Sequence, residues 1–191
     1  MAKPKKIFYA KMIKSYFITD PSIIGSTPES ISSTLPQVIT QFSPDYICLR
    51  DKNNNAYNKL AEAFLSVNGS HKALLHGNVD LAISLGAYGV HLTSSQFNEI
   101  HRAKKAGLYV IASTHSQEEA LLASLADAIT YSPIFHSPNK GKPKGLADLK
   151  EIMGKIKTNI FALGGITTQE QIKQVENTGV YGFASIRHFT I

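Results

Sequence analysis

Short apolar runs recur along the chain, separated by stretches in which apolar positions return at helical spacing. The runs at 16–19, 46–49, 73–75, 89–92, 108–112, 126–131, 160–163 and 182–186 are expected to be strands. Between them, Ser26, Thr27, Pro28 and Glu29 have the form of an N-cap, a first-turn proline and an early acid, and so predict a helix start. Further helices are expected over 56–66 and 78–85, from a Ser116 cap with Glu119 three residues on, and over 146–156 and 168–177. Gly86 and Gly179 mark helix ends.

Strands alternating with helices imply parallel βαβ units, and eight of them predict an α/β chain closed into a (β/α)8 TIM barrel. At 191 residues the chain is shorter than the ~250 typical of that fold. Little follows the last strand, so a compact barrel with a truncated last helix is expected. An open, doubly wound sheet is the alternative that periodicity leaves open. One domain is expected over 1–191, with a basic N-terminal segment at 1–14.

Polar residues fall just after the expected strands: Asp20, Arg50-Asp51-Lys52, His76-Gly77-Asn78, Thr93 to Gln96, Ser113-Thr114-His115, residues 132–144, Gly164-Gly165 and Arg187-His188. In a closed barrel these ring one mouth, the face on which such folds carry their sites. On an alternating backbone Arg50 and Lys52 point the same way and together can grip one anion. Gly164-Gly165 after strand seven lets a backbone approach a ligand and offer N–H groups to an anion, with Ser185-Ile186 after strand eight as a partner.

Composition narrows the ligand. The chain is 43% hydrophobic and 18% charged, with a formal charge of +6 and a pI near 9.3. Four lysines lie in the first eleven residues, and the rest are spread without the aromatic interleaving of a nucleic-acid surface, so a small phosphorylated ligand fits better than nucleic acid. No apolar run approaches the ~20 residues needed to cross a membrane, and a cytoplasmic protein is expected. Cys48 is the sole cysteine, which excludes an intramolecular disulfide and a thiolate metal cluster; it is expected to be buried.

Tyr16-Phe17-Ile18-Thr19-Asp20, Leu49-Arg50-Asp51-Lys52, Val79-Asp80-Leu81-Ala82, Gly89-Val90-His91-Leu92, Ser113-Thr114-His115-Ser116, Pro133-Ile134-Phe135, Lys140 and Ala162-Leu163-Gly164-Gly165-Ile166 follow in an order that resembles the thiamine phosphate synthase and TenI family. The resemblance runs over about residues 15–187 and implies a (β/α)8 barrel. For the synthase it implies coupling of a hydroxymethylpyrimidine diphosphate to a thiazole phosphate, assisted by magnesium. Arg50, Lys52 and Lys140 match the basic grip on the diphosphate, while Gly164, Gly165, Ser185 and Ile186 match the thiazole-phosphate cradle, and Ser113 is a further candidate substrate contact.

The metal side departs from that pattern. His76-Gly77 stands where the synthase has Asn-Asp, Gln96 where it has a second magnesium aspartate, and Cys48 where it has a pyrimidine-reading glutamine. No metal ligands are therefore assigned, no cofactor is expected, and magnesium enters only if synthase activity is retained. A TenI-like thiazole phosphate tautomerase, which moves a proton without diphosphate or metal, is the favoured reading. His136 and His76 are its candidate acid–base groups, the TenI histidine position being Pro133. His115 is expected to cap or support, and His91 to pack inside the barrel. The alternatives are a divergent synthase recruiting magnesium through Asp51 or through substrate oxygens alone, and a non-catalytic phosphate-ligand sensor.

Overall fold

In a computed structural model that describes residues 13–138 and 140–191, the period-two pattern of the apolar runs becomes eight strands with two buried faces. They are β1 (Lys14–Ile18), β2 (Tyr46–Leu49), β3 (Lys72–His76), β4 (Gly89–Leu92), β5 (Tyr109–Thr114), β6 (Ala128–Tyr131), β7 (Asn159–Leu163) and β8 (Gly182–Ser185). Each pairs in parallel with its sequence neighbours, and β1 pairs with β8, where Tyr16 stands opposite Ala184. The sheet is a closed barrel, which removes the open-sheet alternative. Of the basic N-terminal segment expected at 1–14, residues 1–12 lie outside the described residues, as does Asn139, while Lys14 is already the first residue of β1.

Alternation sorts the core into two clusters. Tyr16, Ile18, Tyr46, Cys48, Leu74, Ile111, Ala128, Phe161 and Ala184 fill the barrel, while Phe17, Ile47, Leu49, Leu75, Val90, Leu92, Val110 and Ile129 face the helices. Tyr16, Tyr46 and Phe161 pack against one another inside the barrel, with centroids 5.2–6.1 Å apart. Cys48 is buried as expected, and burial pushes its thiol up to about 12.

The helices are α1 (Pro21–Ile24), α2 (Pro28–Phe42), α3 (Tyr57–Val67), α4 (Val79–Ser84), α5 (Ile100–Lys105), α6 (Gln117–Leu122), α7 (Gly145–Lys155) and α8 (Gln169–Glu176). The expected start of α2 is realised as a capping box between Thr27 and Ser30 with Pro28 in the first turn. Helix α5 is not among the helices expected from the sequence, because only Ile100 and Ala103 of its six residues are buried, too few for a helical stripe. After β8 the truncated helix is a single 3-10 turn, Arg187–Phe189. Phe189 seats its ring 5.0 Å from Phe17, 5.6 Å from Phe42 and 6.2 Å from Phe183. Among the described residues no helix is long and apolar enough to cross a membrane.

Candidate functional site

The inward positions of the strands continue past their C-terminal ends into a cavity of about 380 Å³. Ile18, His76, His91, Ser113, Leu163 and Ser185 line it from strand ends, and Arg50, Lys52, Lys140, Gly164, Gly165 and Ile186 from the following loops. A single mouth therefore gathers every candidate site residue named from the sequence except His136 and Asp51. The His136 side chain is exposed and does not line the cavity, so the expectation that it reaches inward is corrected. The loop is pinned from below: Ile134 N–H donates to the Leu163 carbonyl at 2.9 Å and Phe135 N–H to the Gly164 carbonyl at 2.9 Å, and this binds the segment to the strand-seven turn.

At the β7–β8 side the wall is backbone. Gly164 and Gly165 have φ of +100° and +70°, a region that favours glycine. A Cβ on Gly164 would lie 2.7 Å from Pro133 Cα, and one on Gly165 would collide with the His136 carbonyl oxygen. The Ser185 hydroxyl donates to the Ile166 carbonyl at 2.6 Å and accepts from His188 N–H at 3.2 Å. Its side chain is thus spent on tying the two loops together, at the place where barrels of this kind usually grip phosphate with backbone N–H groups.

At the β2 side the wall is cationic side chains. Arg50 is held by its own N–H, which donates to Thr19 Oγ1 at 2.9 Å, and its guanidinium lies 3.6 Å from the Asp20 carboxylate. Asp20 also caps α1 through Ser22, and the Ser22 hydroxyl is the main reason its carboxyl is held below the usual range. Burial, then the neighbouring Arg50 and Lys140, pull the Lys52 ammonium below its ordinary value. Mutual repulsion among these cations is what a bound polyanion would relieve.

A hydrogen-bonded chain crosses the floor. Tyr16 Oη lies 2.6 Å from His91 Nδ1, and His91 Nε2 lies 2.8 Å from Ser113 Oγ. Burial raises the Tyr16 phenol well above its ordinary value and, with His76, Arg50 and Lys52, lowers the His91 imidazole well below its own. Both are neutral near pH 7. If Tyr16 donates to Nδ1, then Nε2–H donates to Ser113, whose hydroxyl proton is directed to a ligand. His91 is packed inside as expected, and it also orients Ser113. The alternation of Gly89-Val90-His91-Leu92 already places it on the inward face.

His76 lines the cavity beside it, with ring centroids 5.7 Å apart. Burial first, then Arg50 and Lys52, lower His76 to about 4, so it too is neutral near pH 7. His115 also lines the cavity, its Nδ1 3.0 Å from Ser132 Oγ, and Glu119 accepts from its backbone N–H at 2.6 Å. This is the supporting position expected for it.

Magnesium takes hard oxygen ligands, usually one or two carboxylates with substrate phosphates. The cavity is lined by Arg50, Lys52, Lys140 and Arg187 and by no carboxylate among the described residues. Asp51 does not supply one: its Oδ2 accepts from Ser26 Oγ at 2.6 Å and Asn54 Nδ2 at 3.0 Å, because alternation turns it away from Arg50 and Lys52. The expectation that Asp51 could recruit magnesium is therefore corrected, and this donor set does not fit the ion.

The family model described as thiamine monophosphate synthase matches residues 15–189. A relative from Aquifex aeolicus, described as "Putative thiamine-phosphate synthase 2", is 35% identical over 183 residues, 91% of this chain and 96% of its own length. A thiamine-phosphate synthase from Methanoculleus marisnigri is 31% identical over 183 residues, covering 90% of this chain and 84% of the relative. Among solved structures, the thiamine phosphate pyrophosphorylase from Pyrococcus furiosus superposes with a TM-score of 0.73 at 27% identity, over 92% of this chain and 86% of that one. These names are of synthases, so they do not support ranking the tautomerase above the synthase. Motif order, closed barrel and sequence similarity converge: the chain belongs to the thiamine monophosphate synthase family.

Proposed function

We propose that this protein is a transferase that couples a pyrimidine carrying a diphosphate to a thiazole phosphate, releasing diphosphate. The observation that carries the reading is that one cavity is lined both by the glycine turn Gly164-Gly165 with Ile186, which we assign as a cradle for one phosphate, and by the cationic side chains of Arg50, Lys52 and Lys140, which we assign as a second anion station. A reaction between two phosphorylated substrates uses both sets of groups, and three cationic side chains suit a diphosphate better than a single carboxylate. In this reading the cradle fixes the thiazole phosphate, and the bond between the pyrimidine methylene and the diphosphate breaks as the thiazole takes its place. Arg50, Lys52 and Lys140 stabilise the charge developing on the departing diphosphate, and the low-dielectric wall strengthens that effect. Ser113, oriented by His91, offers a proton donor to substrate oxygen.

A second reading, proton transfer on a carboxylated thiazole phosphate, is favoured by one observation. Neutral His76 lines the cavity where the synthase pattern has an asparagine, and a neutral imidazole can accept a proton. Purified protein incubated with both phosphorylated substrates separates the two. Formation of thiamine phosphate is expected; tautomerisation of the carboxylated thiazole phosphate with no coupling product contradicts the transferase.

A further inference from the structure

Residues 77 and 96, the positions at which the synthase pattern carries carboxylates, meet in this fold. Gly77 N–H donates to the His91 carbonyl at 2.9 Å, which ties the turn after β3 to β4. Gln96 then closes the two loops: its Nε2 donates to the Gly77 carbonyl at 2.8 Å, while its Oε1 accepts from Thr93 N–H at 3.1 Å and from Thr93 Oγ1 at 3.0 Å. An amide oxygen has two lone pairs, and both are engaged here. The amide therefore holds the two loops together as a direct bridge and has no acceptor capacity to turn toward a ligand.

The surrounding carboxylates are committed as well. Asp80 pairs with Arg102, Glu119 accepts from His115 N–H, and Asp20 is shared between Ser22 and Arg50. The positive charge of the cavity comes from Arg50, Lys52, Lys140 and Arg187, which line it without an interposed acid.

We propose that the Gln96 bridge to Gly77 replaces a divalent cation in this protein, so that its cationic side chains hold a diphosphate-class anion without metal. The inference deepens the transferase reading and rests on it for the identity of the anion. It concerns binding, which is measured separately from turnover.

The probe is inorganic pyrophosphate, titrated calorimetrically into the full chain in EDTA and again in excess magnesium. The two dissociation constants are expected to agree within about threefold, because no carboxylate pair waits for the ion. The double substitution Gly77→Asp with Gln96→Asp restores two hard ligands at adjacent positions. Aspartate is among the residues that tolerate the φ of +70° at position 77. It is expected to bind pyrophosphate at least about tenfold more tightly with magnesium than in EDTA, as two added carboxylate ligands imply. Should that variant fail to fold, Gln96→Asp alone is expected to move in the same direction.

Wild-type binding that weakens tenfold or more in EDTA, or the absence of pyrophosphate binding in both buffers, overturns the inference. The two proposals fail differently. Metal-independent binding without coupling product sinks the transferase and leaves the bridge standing, while binding and turnover that both require magnesium do the reverse.

Discussion

The two sides of the barrel mouth are built by different means, one from backbone and one from side chains. On the β7–β8 side, Gly164 and Gly165 adopt positive φ and the Ser185 hydroxyl is spent on the Ile166 carbonyl, so the proposed cradle is one of backbone. On the other side, Arg50 and Lys52 after β2 present side chains, joined by Lys140 from the loop between β6 and α7, and the loops after β3 and β4 are tied together by Gln96. A backbone cradle depends on conformation and tolerates few substitutions. A side-chain station can change its chemistry by point substitution while the barrel stays closed. Cys48, Gly77 and Gln96, the positions at which the resemblance implies other residues in the synthase, all fall on the side-chain side.

The largest effect that would break this contrast is expected from Arg50→Ala. Loss of one fixed charge at the departing diphosphate should lower kcat/KM for coupling by about 10²–10³, with thiazole phosphate binding nearly unchanged. Steady-state kinetics with each substrate varied in turn checks it. Equal losses toward both substrates would mean that the stations are not separate.

The next effect is on stability against pH. His76 is lowered to about 4 in the folded chain, against an ordinary value of 6.5. Above pH 6.5 both folded and unfolded forms are neutral and the contribution is constant. As pH falls from 6.5 toward 4, the unfolded chain takes up a proton that the folded chain refuses, and stability drops by on the order of 3 kcal/mol from this group. Urea unfolding at about pH 7 and about pH 4.5 should show a smaller drop for His76→Asn than for the wild type. Bound pyrophosphate should raise the His76 pKa, because it offsets the field of Arg50 and Lys52; an NMR titration of the ring reads that shift.

Gly165→Ala probes the other side. Its Cβ would meet the Phe135 backbone carbon at 2.8 Å, at a φ of +70°, so a loss of about 2 kcal/mol in stability is expected. A raised KM for thiazole phosphate should accompany it, with little change in pyrophosphate affinity. The smallest effect is expected from His136→Ala. Because that ring is exposed and off the cavity wall, coupling should change by less than about twofold.

The barrel is legible in the sequence because parallel strands buried on both faces leave dense apolar runs, and the runs at 46–49 and 89–92 coincide with β2 and β4 to the residue. The site is legible where period two carries through a strand end, as it does from Cys48 to Arg50 and Lys52. Helix α5 is not, since its charged residues outnumber the two that pack. The direction of His136 is not legible either, because spacing along a loop says nothing of where a side chain points once the loop hydrogen-bonds to Leu163 and Gly164. The bridge at Gln96 shows in the sequence only as a missing carboxylate. Its partner Gly77 lies 19 positions earlier, and only the pairing of β3 with β4 brings the two together.

The most direct test of two separate anion stations is calorimetric titration of inorganic pyrophosphate into protein already saturated with thiazole phosphate. Independent stations predict one pyrophosphate per chain with a dissociation constant within about threefold of that for the free protein. A dissociation constant that rises in proportion to thiazole phosphate concentration would place both anions on one site and contradict them.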